Sequence, residues 1–190
     1  PPHDENGVYT GQNNGLPYNT LEEEENGIRS GALFPYSENV DIYHCPGDKN
    51  YLNPGADRGG KRSYSITGLM NGEQPNLKEC VRKYNEISIP GERLVFLENT
   101  DWRGWNMGSW IMNYDDNNPR WIDELAIWHN GASTLGFADG HAEKHRWVDD
   151  TTVHNAKAPY DGDPTTGMIN DPFSHGEGED LLYLRRIYVP

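Results

Sequence analysis

His129, Asp139 and His141 are the residues whose types first suggest chemistry. Two imidazoles and a carboxylate are what an acid–base set or a metal site would use. Local sequence places no further group to complete such a set, so the catalytic residues are expected to be none. The expected role of His129, Asp139 and Gly140 is structural. A carboxylate in a turn bonds nearby backbone amides, and a histidine just ahead of a hairpin can bond a turn or loop and lock it. A metal-dependent hydrolase built on the three is the weakest functional reading, because nothing in the spacing requires open coordination or an activated water.

Oxygen ligands gather in two other places, Asp115-Asp116-Asn117-Asn118 and Asp161-Gly162-Asp163. Hard cations such as Ca2+ favour carboxylates, amide oxygens and backbone carbonyls in loops, so Asp115, Asp116, Asp161 and Asp163 are the candidate metal ligands. Neither segment fits the twelve-residue EF-hand loop. Asp4-Glu5-Asn6-Gly7 is a weaker third candidate. The alternative is a solvated acidic coat that binds nothing tightly. Thirty acidic residues against sixteen basic ones give a formal charge of -14. Such a chain repels nucleic acid and anionic membrane faces, which excludes both as partners, and bound divalent cations would offset the charge.

Five of the six tryptophans (Trp102, Trp105, Trp110, Trp121 and Trp128) fall within residues 100–128, among Asp, Asn and Gly. Flat rings beside polar groups suit glycan stacking or a protein interface, with Trp102, Trp105 and Trp110 as the contact residues. A minicore pinning a long loop is the reading favoured here, because the chain is short of aliphatics. The two cysteines, Cys45 and Cys80, are too few for an all-cysteine zinc site. They allow one disulfide or two separate thiols. The acids at 22–25 are most simply a solvated charge run.

These groups must be carried by a modest core. Hydrophobic residues make up 34% of the 190, and the mean hydropathy is -0.89, so long polar loops should surround one domain of 1–190. Thr20 is placed to cap a short helix that Gly27 would limit to about two turns. Residues 31–36 read as a turn packing Leu33 and Phe34 inward. Strands are expected at 40–45, 62–66 and 93–98, the last introduced by a Pro90-Gly91 turn. Residues 133–138 and 141–147 flank Asp139-Gly140, which predicts a two-residue type I′ hairpin. Residues 148–180 hold eight acids and read as loop, and 181–190 should return to the core as a strand. The expected class is α+β, mainly β: a small antiparallel sheet with long irregular loops. No membrane span or leader is visible, and the opening Pro1-Pro2-His3 reads as the interior of a longer sequence.

The stretch from His129 to Asp139-Gly140 resembles the His-x9-Asp-Gly signature of prepilin-type proteins of Planctomycetes, Verrucomicrobia and Lentisphaerae, similar to type II secretion major pseudopilins. Further segments match in the same order: Ala32-Leu33-Phe34-Pro35-Tyr36, Tyr43-His44-Cys45-Pro46-Gly47-Asp48, Arg62-Ser63-Tyr64-Ser65-Ile66, Ile89-Pro90-Gly91-Glu92-Arg93 with 94–98, and the terminal residues 183–190. Together they span most of 30–150. The resemblance implies a pseudopilin-like head without its N-terminal helix, and hence a non-enzymatic subunit of a secretion or pilus-like system. Its location would be extracellular, at the cell surface or periplasmic. Its partners would be other pilin-like subunits or copies of itself and an exported protein, with no nucleic acid; a glycan partner belongs to the alternative reading, a glycan-binding surface protein that uses the tryptophan-rich loop. The missing helix would be its only route to a membrane. The resemblance also implies a calcium loop late in the head, and an oxidising location favours the Cys45–Cys80 bridge.

Overall fold

A computed structural model describes residues 6, 20–48, 61–70, 73–99, 108–115, 119–123, 125–157 and 178–190. The chain divides into two compact units: Pro1–Tyr64 with Thr100–Gly108, and Ser65–Asn99 with Ser109–Pro190. The fold is α+β with mainly strands, as the sequence predicts.

In the first unit, α1 (Leu21–Arg29) opens on the expected cap at Thr20. Thr20 Oγ1 accepts from Glu23 N at 3.2 Å, and Glu23 Oε2 accepts from Thr20 N at 2.7 Å. This reciprocal box satisfies two N–H groups that a helix start leaves bare. The helix runs through Gly27 rather than ending there, because Gly27 and Ile28 are buried and Ser30 supplies the cap. A short helix α2 (Phe34–Ser37) follows, and Leu33 is exposed rather than packed inward. Residues Val40–Tyr43 form a 3-10 helix where a strand was expected. The Asn39 side chain accepts from Asp41 N at 2.8 Å and starts the turn instead.

The acidic run at 22–25 is not simply solvated. Glu24 accepts a hydrogen bond from Lys61 N. The Lys61 ammonium lies 2.8 Å from Asp41 Oδ1 and 3.9 Å from Glu25 Oε1. Burial pushes the Glu24 carboxyl up to about 7, against the bond from Lys61.

In the second unit a five-stranded sheet has the order β3-β1-β2-β6-β7. Its strands are β1 (Tyr64–Thr67), β2 (Leu94–Glu98), β3 (Ser109–Trp110), β6 (Ala132–Phe137) and β7 (Ala142–Arg146). β2–β6 and β6–β7 are antiparallel, and β1–β3 is parallel. A separate pair joins β4 (Met112–Asn113) to β5 (Arg120–Trp121).

Two helices lie where none was expected. α3 (Asp150–Lys157) begins the stretch read as loop, and α4 (Glu179–Tyr188) replaces the C-terminal strand. α4 buries Leu181, Leu184, Ile187 and Tyr188, the three-and-four spacing of a helix face, with acids in its first turn and Arg185 and Arg186 in its last. The carboxylates of Asp149 and Asp180 fasten its start: Asp149 Oδ2 accepts from Asp180 N at 2.7 Å, and Asp180 Oδ2 accepts from Val148 N and Asp149 N at 2.9 and 2.8 Å. The core joins Leu94, Leu97 and Leu135 of the sheet to α4 through Trp110, Trp121, Trp147 and Tyr188. Edge-to-face contacts link the rings, with centroids 6.4 Å apart for Trp110–Trp121, 6.3 Å for Trp121–Trp147 and 5.7 Å for Trp110–Tyr188.

Candidate functional site

The chemistry-bearing residues of the second unit lie at the two ends of β6. At its start stands His129, followed by Asn130 and Gly131, whose φ values of 60° and 77° let the chain reverse into the strand. His129 bonds a strand end. Its Nε2 lies 2.7 Å from Oε1 of Glu98, the last residue of β2. Glu98 is wholly buried, and its other oxygen accepts from Thr134 N at 3.0 Å. One carboxylate thus ties the end of β2, the approach to β6 and the strand itself. Beside it, Ser133 Oγ donates to Ala126 O and accepts from Trp147 Nε1 at 2.7 Å, carrying the tie across to the end of β7.

At the other end of β6 the chain reverses through Ala138-Asp139-Gly140. Gly140 N donates to Phe137 O at 3.0 Å, and Phe137 N donates to His141 O at 2.9 Å. Gly140 has φ 94°, while Asp139 has no positive φ. A type I′ turn needs positive φ at both central residues, so the expected two-residue turn is corrected to a three-residue loop closing on a left-handed glycine. Asp139 Oδ1 accepts from His141 N at 3.1 Å and lies 2.5 Å from His141 Nδ1. The His141 N–H, then its ring, hold the Asp139 carboxyl below the usual carboxylate range. The His141 ring lies flat on Phe137 with centroids 4.4 Å apart.

The turn also rests on residues 89–93. Ala138 N donates to Arg93 O at 2.9 Å, and a Cβ built on Gly91 would stand 3.0 Å from Asp139 Oδ2. A side chain at 91 would therefore crowd the Asp139 carboxylate. Ile89 holds φ 53° directly before Pro90. That is a costly conformation for a β-branched residue, and surrounding bonds must fix it.

A second polar cluster belongs to the first unit. Asp48 Oδ2 accepts from Ser63 Oγ at 2.8 Å, and both residues are buried. His44 Nδ1 lies 2.8 Å from Lys61 O and 3.2 Å from Ser63 Oγ. Because Nδ1 faces a carbonyl it carries the proton, and the serine proton goes to Asp48. A nucleophilic triad needs the imidazole between serine and carboxylate, accepting from the hydroxyl. These three residues are wired as a structural tie.

His129 and Asp139 stand at opposite ends of a six-residue strand, which at ~3.3 Å per residue separates them by roughly 20 Å. One metal ion cannot span that, and no cluster of metal-ligating side chains among the described residues joins His129 to Asp139 or His141. Trp110 is wholly buried and, with Trp121, belongs to the main core between the sheet and α4 rather than to a separate cluster under a loop. Trp102 and Trp105 lie outside the described residues, as do Asp116, Asp161 and Asp163. Asp115 is exposed, and its N–H donates to Asn113 Oδ1 at 3.1 Å. The expected disulfide is not formed. Cys45 is buried and Cys80 half-buried, and neither is in a disulfide. Cys45 Sγ accepts from Gly47 N at 3.3 Å, and Cys80 Sγ lies 3.8 Å from Val81 O.

Comparisons of the chain with protein-family models, with curated proteins and with solved structures each gave no match. Among the described residues, no helix is long and apolar enough to cross a membrane.

Proposed function

We propose that this chain is the head of a pseudopilin-like subunit and works as a non-enzymatic building block of a secretion or pilus-like assembly outside the cytoplasm. The observation that carries the reading is that the segments bearing the family resemblance bond to one another. The histidine of the His-x9-Asp-Gly stretch meets the carboxylate ending 94–98. The Asp-Gly turn rests on Gly91 and Arg93. Asp48 accepts from Ser63, joining two further segments.

A motif selected for catalysis would converge on an open site. This one is consumed in ties between strands and loops, which favours a scaffold whose surface does the work. Contacts with neighbouring subunits or with an exported protein are the role that follows, and calcium bound at Asp115 and the neighbouring acids would offset part of the -14 charge. Chelation should then lower the melting temperature, and millimolar Ca2+ should restore it. The coding sequence upstream of Pro1 tests the assembly role. An apolar helix preceded by a prepilin processing site is expected there; a catalytic domain in that place contradicts the reading.

A further inference from the structure

We infer that the outer edge of β7 is a docking edge for an acidic, extended peptide segment of a partner protein, taken up as an added strand. β7 is the last strand of the sheet. Its pairing with β6 fixes which backbone groups face out. Phe137 N bonds His141 O and Trp147 N bonds Gly131 O, so the hydrogen-bonded positions of β7 are the odd-numbered ones. The N–H and C=O groups of Ala142, Lys144 and Arg146 therefore point away from β6, and among the described residues nothing bonds them.

Side-chain chemistry selects the occupant. Glu143 and His145 lie on the face covered by α4, where Tyr183 donates to Glu143 at 2.7 Å and stacks on His145 at 4.1 Å. By alternation Lys144 and Arg146 lie on the opposite face, where both are exposed. Neither is in an ion pair among the described residues. Two unpaired cations two residues apart are conspicuous in a chain with 30 acidic and only 16 basic residues. A strand carrying carboxylates at alternate positions would pair its backbone with the open edge and its acids with Lys144 and Arg146. A second copy of β7 is a poor occupant, because symmetric antiparallel pairing through these outward groups sets Lys144 against Lys144, Glu143 against Glu143, or His145 against His145.

The test uses the whole chain and a fluorescein-labelled decapeptide of alternating threonine and glutamate, followed by fluorescence anisotropy at low salt. Saturable binding is expected, with no binding of the threonine–lysine counterpart. Lys144→Glu/Arg146→Glu should weaken it by about tenfold or more, since two exposed ion pairs become repulsions. Lys144→Pro, which removes an outward N–H and leaves the β6 ladder whole, should weaken it with the melting temperature preserved. Lys78→Glu, a charge change elsewhere on the surface, should leave it within about twofold of wild type. Absence of saturable binding up to about 1 mM, or equal binding by wild type and the double variant, overturns the inference. Lys144 would then serve only to keep the edge from pairing.

Discussion

Replacing His129 by alanine should destabilise the fold by an amount that depends on Glu98. The Glu98 carboxylate is fully buried and, among the described residues, has two donors, His129 Nε2 at 2.7 Å and Thr134 N at 3.0 Å. Removing the imidazole strands a buried charge on one backbone bond, a change that costs about 3–5 kcal/mol when no water can enter. The His129 side chain is one third exposed, so water can partly replace it, and about 2–3 kcal/mol is expected. In a chain of this size that lowers the melting temperature by about 5–10 °C. Glu98→Ala should cost a similar amount, because it bares Thr134 N and leaves a cavity. Once Glu98 is gone, His129 has no buried charge to serve. The double variant should therefore fall short of additivity by roughly 1.5–2 kcal/mol. Urea unfolding of the four proteins measures this cycle. Additivity within about 0.5 kcal/mol, or a His129→Ala loss smaller than that, refutes the buried tie.

Three further outcomes follow from the same structure. Trp110→Ala should cost about 3–5 kcal/mol in urea unfolding, because a fully buried indole is lost from the ring cluster; a loss below about 1 kcal/mol would return Trp110 to the surface. Gly140→Ala should cost about 1–2 kcal/mol from backbone strain alone, since nothing lies within 4 Å of its added Cβ; an unchanged unfolding midpoint contradicts the left-handed turn. Glu24 supplies a pH signature. Its folded carboxyl stands at about 7 against an ordinary 4.5, so the folded chain binds that proton more tightly. Its stabilising contribution is full below about 4.5 and is lost as pH rises through 7. Measured against Glu24→Gln, the wild-type melting temperature should fall between about pH 5 and pH 8; a constant difference over that range contradicts the buried carboxyl.

Much of the sheet was legible because period-two patterns and turn residues are local. The strands around Asp139-Gly140 and the 93–98 strand stand close to where the sequence predicts them. The turn was misread by one residue, since Asp-Gly suits both a two-residue loop and the end of a three-residue one. α4 was hidden by Leu181-Leu182-Tyr183-Leu184, an apolar run that masks helical spacing until burial separates exposed Leu182 from its neighbours. At 40–45 a strand-like alternation yielded to the Asn39 cap. The partner of His129 was out of reach for a different reason: Glu98 lies 31 residues away and only strand pairing brings it near. The one available signal was a carboxylate closing the apolar run Leu-Val-Phe-Leu. Burial at that position requires a partner, and an acid ending a core strand is a reason to look for one.

The reading as an assembly subunit is tested most directly by electron microscopy of surface filaments sheared from cells that express the full gene, labelled with antibody raised against residues 1–190. Label along the filaments is the predicted result. Unlabelled filaments beside freely soluble antigen would contradict it.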